Sequence, residues 1–266
     1  MRKNLKNLIL DMIFIIFISP LLLLVMWGFT TSWPFPHLLP QNYSFRGFEY
    51  IISPDSLETL LNSIFISLIV VLITVLISIP AAKAMEFYEF RGKNFLKMLI
   101  LSPVIIPLIS VAMGIQIIFI RLGLANTLMG VVIISILPCI PYAIRIIGDV
   151  YKLVGNNLEL QSKMLGANKI NTFRYVTLPL ILPGIIGASS MCFIISFSQY
   201  FLTLLIGGGS IITYPMIMLA YIQSGDRTIA SLYSMVFLIV GVVVLILIEN
   251  SIKKRYGNNE DNSLFL

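Results

Sequence analysis

Side chains that commonly do chemistry are few in this 266-residue chain and poorly grouped for it. His37 is the only histidine and sits in a Pro-rich stretch, so neither a His-based metal cluster nor a catalytic triad is available. The two cysteines, Cys139 and Cys192, fall inside apolar segments and read as small core residues, not as a disulfide framework or metal site. No nucleophile–base pair and no paired catalytic carboxylates occur within the apolar runs, so no catalytic residues are assigned. What remains is polar without being reactive. Ser189, Cys192, Ser196, Gln199 and Thr203 recur at i, i+3, i+7, i+10 and i+14, one side of a helix whose other side is Ile, Phe and Leu. The chemistry open to such a stripe is hydrogen bonding, either along an aqueous path or between packed helices. Gln116, Asn62 and Ser63 are further candidates to line the same path.

The elements that must position these residues are membrane helices. The chain is 58% hydrophobic with a mean hydropathy of +0.96, and 11% of it is charged, where a soluble domain carries about 25%. Long apolar runs place spans at about 8–30, 60–82, 98–120, 127–147, 178–205 and 229–250. The expected fold is therefore all-α and polytopic, with about six transmembrane helices. Met1-Arg2-Lys3 ahead of an apolar run superficially resembles a signal peptide, but the run is long, carries Asp11 and lacks a small-residue cleavage site. It is read as a retained first helix. Prolines 103 and 107, and 138 and 141, are expected to kink the third and fourth helices. Gly207, Gly208 and Gly209 with Pro215 are expected to form a flexible outer turn.

The net charge of +6 would suggest a nucleic-acid partner in a soluble protein, but here it follows the loops. Of 18 Lys and Arg, only Arg46, Arg121 and Arg227 lie on one side of the spans. The rest flank the first helix, the 83–97 loop, the 148–177 loop and the last helix, which places both termini and these loops in the cytoplasm. Asp11 and Arg145 sit near cytoplasmic helix ends, where snorkelling accounts for them. The organisation is then a first helix and outer loop over 1–57, a transmembrane core over 58–250 and a cytoplasmic tail over 251–266 containing Glu260 and Asp261.

Residues 158–184, LELQSKMLGANKINTFRYVTLPLILPG, are the informative stretch. Asn157 to Leu165 suits a short amphipathic helix, Gly166 offers a turn with positive φ, and a second helix starts near Asn168. Pro179 and Pro183 then open the fifth span. This stretch resembles the cytoplasmic loop of binding-protein-dependent ABC importer permeases of type I architecture. Their loop runs Glu-Ala-Ala, three residues, Gly, nine residues, Ile, one residue, Leu-Pro. Gly166, Val176, Leu178 and Pro179 match that spacing, with Ala167 and Phe173 in the usual company, whereas Leu160, Gln161 and Ser162 replace Glu-Ala-Ala and an acid stands at Glu159. FRGK at 90–93, RLGLANTLMGVV at 121–132 and FIISFSQYFLTLLIGGGSIITYP at 193–215 resemble the polyamine, phosphonate and ferric-ion branch.

The resemblance implies a multi-pass cell-membrane permease that forms half of a solute pathway. It implies a separate cytoplasmic ABC ATPase dimer docked on the 148–177 loop, a second homologous permease and an extracellular solute-binding protein. ATP would be used by the ATPase, since this chain has no G-x-x-x-x-G-K-[ST] phosphate loop, and no cofactor is expected on it. A polyamine or another small polar solute is the expected cargo. The alternative, a secondary transporter or channel, would call for ionisable residues in mid-span, and these are nearly absent.

Overall fold

The computed structural model describes residues 2–33, 37 and 39–256, so Glu260 and Asp261 lie outside the described residues. The described residues form two compact units, 1–61 with 213–240, and 62–212 with 241–266.

In the first unit, α1 (Arg2–Gly28) leads into β1 (Thr30–Ser32), which pairs antiparallel with β2 (Asn42–Tyr43). A short helix, α2 (Arg46–Ile51), precedes the start of α3 (Pro54–Phe87). The same unit holds α11 (Tyr214–Ser224) and the first part of α12 (Arg227–Tyr256). Tyr214, Ile229 and Tyr233 form its buried centre, with Tyr214 and Tyr233 rings 5.1 Å apart. Gly28 and Gly47 both lie against the Leu232 side chain, so a larger residue at either would have to displace it. Arg46 pairs with Asp226 at 3.0 Å, and the Arg227 guanidinium lies over the Trp27 ring at 5.1 Å. In the loop, Trp33 donates to the His37 carbonyl at 2.7 Å, and exposed His37 has a purely local role.

The second unit contains the rest of α3, then α4 (Lys93–Ile105), α5 (Leu108–Arg121) and α6 (Leu128–Val154). A short helix, α7 (Asn157–Met164), is followed by a continuous helical run of α8 (Lys169–Thr172), a π-helical turn (Phe173–Thr177) and α9 (Leu178–Phe197). After α9 comes α10 (Phe201–Gly207). The core is the α6–α9 interface. There Gly184 sits against Ile147 and Val150, and Gly187 against Ile146, so glycine lets the backbones approach closely.

Among the described residues, four helices are long and apolar enough to cross a membrane: Pro54–Phe87, Leu128–Val154, Lys169–Phe197 and Arg227–Ser251. The bent pair α4–α5 passes the same test of length and composition only when its two arms are taken together, and α1 carries a shorter apolar stretch, Phe14–Gly28. Several boundaries differ from those read in the sequence. The expected third helix is broken, bending by 104° at Ile106 and Pro107. Ile106 is extended (ψ 135°), the conformation a following proline favours, and Pro107 has no N–H with which to continue the ladder. By contrast Pro103, Pro138 and Pro141 stay within helices. The expected fifth helix stops at Phe197, where the Ser198 hydroxyl donates back to the Ile194 carbonyl at 2.7 Å, and resumes as α10. Pro215 opens α11, an element absent from the sequence reading, because its fixed φ suits the first helical turn.

Candidate functional site

At the Lys- and Arg-rich end of the second unit, α7 stands between two glycines with positive φ, Gly155 at 71° and Gly166 at 84°. Nothing lies within 4 Å of where a side chain would begin at either, so backbone conformation alone demands glycine there. The α7 C-terminus closes as a Schellman motif: Ala167 N–H bonds the Ser162 carbonyl at 3.1 Å and Gly166 N–H that of Lys163 at 3.0 Å. The next helix is capped by the Asn168 side chain, which accepts from the Asn171 N–H at 2.7 Å. A hydrogen bond of 2.7 Å between the Ser162 and Thr172 hydroxyls ties the two arms together.

Glu159 is the one buried residue of α7. Lys83, near the end of α3, approaches both its carboxylate oxygens, at 2.7 and 2.5 Å. The Thr177 hydroxyl, on the last residue of the π turn, donates to Oε1 at 2.7 Å. Burial opposes ionisation of Glu159, but the hydrogen bonds from Lys83 and Thr177 and the charges of Lys83 and Lys163 together hold its carboxyl below the usual range. The π turn itself falls directly before Pro179, and its wider winding relieves the clash of the proline ring with the preceding turn.

The exposed residues of α7 are mixed: Leu158, Leu160 and Met164 stand among Asn157, Gln161 and Lys163. Leu160, which stands where the family motif has Glu, is exposed with Leu158, and Met164 and Leu165 are each 88% exposed. Gln161 is exposed, Ala167, Leu178 and Pro179 are half-buried, and Phe173 is exposed.

The polar stripe of the fifth span does not share one environment. Ser189, Cys192 and Ser196 are buried on α9, with Cys192 Sγ facing the Cys139 carbonyl of α6 and Cys139 Sγ facing that of Cys192, at 3.8 and 3.7 Å. Thr203 lies on α10 and donates to the Gln199 carbonyl at 3.2 Å. Gln116 donates to the Leu205 carbonyl at 3.1 Å, tying α5 to α10. Of the stripe, Gln199 lines an open cavity of about 320 Å³, which it shares with Ser198, Ile195, Pro103, Pro138 and Tyr142. Ile195 and Ser198 fall outside the stripe expected from sequence. The residues sequence reasoning missed are Lys83 and Thr177, whose signal was the single acid, Glu159, in a short helix whose other charge is Lys163. Among the described residues no group of His, Cys, Asp or Glu could hold a metal ion.

A bundle of apolar helices with a short helix–glycine–helix arm at its basic end defines a membrane transport component. Residues 74–256 match the family model described as binding-protein-dependent transport system inner membrane component, and the chain belongs to that family. It is an ABC importer permease, a multi-pass inner-membrane transport subunit and not an enzyme. It is 30% identical over 228 residues to the spermidine/putrescine transport system permease protein PotC homolog of Mycoplasma genitalium, covering 78% of this chain and 79% of that one. It is 32% identical over 168 residues to the trehalose transport system permease protein SugB of Mycobacterium tuberculosis, where the match spans 63% of this chain and 61% of the relative. Its fold is shared, with a TM-score of 0.68, 15% identity and 95% coverage of both chains, with a bacterial ABC transporter involved in the import of the acidic polysaccharide alginate.

Proposed function

We propose that this chain forms half of the translocation pathway of an ATP-driven importer and is coupled to a separate cytoplasmic ATPase by α7 and the turn at Gly166. The observation that carries the reading is the form of α7: a short helix that exposes Leu158, Leu160 and Met164, held between two positive-φ glycines. Exposed Leu160, Met164 and Leu165 on a polar, basic loop are what a groove on a partner protein would bury. The basic end is then cytoplasmic, as the distribution of Lys and Arg favours. A second permease chain completes the path, and an extracellular binding protein delivers the solute. Gln199 and Ser198, beside Tyr142, are the polar groups best placed to meet a solute within the span.

The cargo we favour is a polyamine or another small polar solute. The long match to the spermidine/putrescine permease homolog supports this, while the trehalose relative widens the class. The testing experiment co-expresses the chain with its partner ATPase and measures ATP hydrolysis by each alone and together, then uptake of radiolabelled putrescine. The chain alone should hydrolyse no ATP, and the assembled system should take up putrescine at the expense of ATP. Hydrolysis by the purified polypeptide itself would contradict the reading.

A further inference from the structure

The two glycines flanking α7 leave its position to be set by side chains. Gly155 and Gly166 both have positive φ with nothing within 4 Å of where a side chain would begin, so the two turns are held by backbone hydrogen bonds and not by side-chain packing at the glycines. Of the α7 residues only Glu159 is buried, and its carboxylate meets two different spans: Lys83 on α3 and Thr177 at the root of α9. Lys83 is 76 residues away in sequence, and the π turn is what places Thr177 beside the carboxylate, 18 residues on. Leu160, the outward neighbour of Glu159, carries no charge toward a docking partner. The acid of this loop therefore works inside the permease.

We infer that Glu159 is a positioning residue, the linkage by which displacement of α7 reaches α3 and α9 together. This rests on the coupling role proposed for the loop. A push on α7 that only distorts the glycine turns would be absorbed there, where backbone hydrogen bonds and the Ser162–Thr172 contact are the restraints. A push carried by a buried ion pair with a hydrogen bond on its free lone pair is passed on, since separating those groups in a dry site is unfavourable. Of the two receiving helices, α9 ends beside Gln199, and α6, packed on α9, contributes Pro138 and Tyr142 to the same cavity.

The test reads that cavity directly. In complexes captured through the bound ATPase, with Cys139→Ala and Cys192→Ala, Gln199→Cys is labelled with a water-soluble maleimide with and without a non-hydrolysable ATP analogue. With the pair intact, nucleotide should change the labelling rate by about fivefold or more, the low end of ordinary coupling between sites. Lys83→Met combined with Glu159→Gln should bring that ratio toward unity, and Lys83→Arg should preserve it. A pair with a purely structural role would lower the yield of complex without moving the ratio in what assembles. An undiminished ratio in the double variant overturns the inference, and so does failure to capture any complex from it, which would make the pair part of the docking surface. Failure of the coupling role itself looks different: Gly166→Val then retains its full complement of ATPase.

Discussion

Two ion pairs of this protein have similar geometry and different surroundings. Arg46 and Asp226 meet at 3.0 Å with side chains 57% and 31% exposed, whereas Lys83 and Glu159 meet at 2.5 Å with side chains 26% and 6% exposed. Water competes for the first pair and screens it, so it fixes little. The second holds the one buried residue of α7, and Thr177 donates to Oε1, an oxygen that Lys83 also approaches. Position on the chain does not separate the two. Desolvation does, and it singles out the Lys83–Glu159 pair as the joint proposed between α7 and two membrane spans.

The largest effect should come from leaving the buried carboxylate alone. Lys83→Met should destabilise the protein by about 3–5 kcal/mol, read as a lowered thermal midpoint in detergent. Adding Glu159→Gln should recover most of that loss, because replacing both charges removes the unpaired one. Equal stability of the single and double variants would mean that the pair is solvated after all. Next in size, Thr177→Val should cost about 1.5–3 kcal/mol through loss of a hydrogen bond to a charged group, and Thr177→Ser should restore it. Arg46→Gln should change stability by less than about 1 kcal/mol, and that small effect should shrink further in high salt.

The pH dependence sharpens the same contrast. Glu159 is held below the usual carboxylate range, so its contribution is present above the unfolded carboxyl pKa of about 4.3 and is lost only as pH falls through the lower folded value. The stability difference between the parent chain and the double variant should therefore be constant from about pH 6 to 8 and shrink only below about pH 4. A loss of the difference near neutrality would contradict the assigned ionisation state.

The parts of this architecture that were legible in the sequence are those set by local rules. Apolar run length locates α3, α6, α9 and α12, and glycine at 166 marks a turn that the structure closes with a positive φ. Boundaries governed by competition were less visible. Pro103 and Pro107 look alike in the chain, yet α4 runs through the first and ends before the second, where Ile106 is extended. The polar stripe fails as a single face because a periodicity of 3.6 assumes one unbroken helix, and the chain breaks between Phe197 and Phe201. Lys83 could not be matched to Glu159 from spacing, since their contact joins helices far apart in sequence.

The central claim is that α7 and its glycine turn dock a separate ATPase, and the ratio of ATPase to permease in purified Gly166→Val complexes tests it most directly. Valine meets no atom at that site, so the substitution strains only the backbone, by about 1–3 kcal/mol, and leaves the membrane bundle free to insert. The account predicts near-normal permease in the membrane with clearly less ATPase bound per permease. An unchanged ratio in the variant would contradict it.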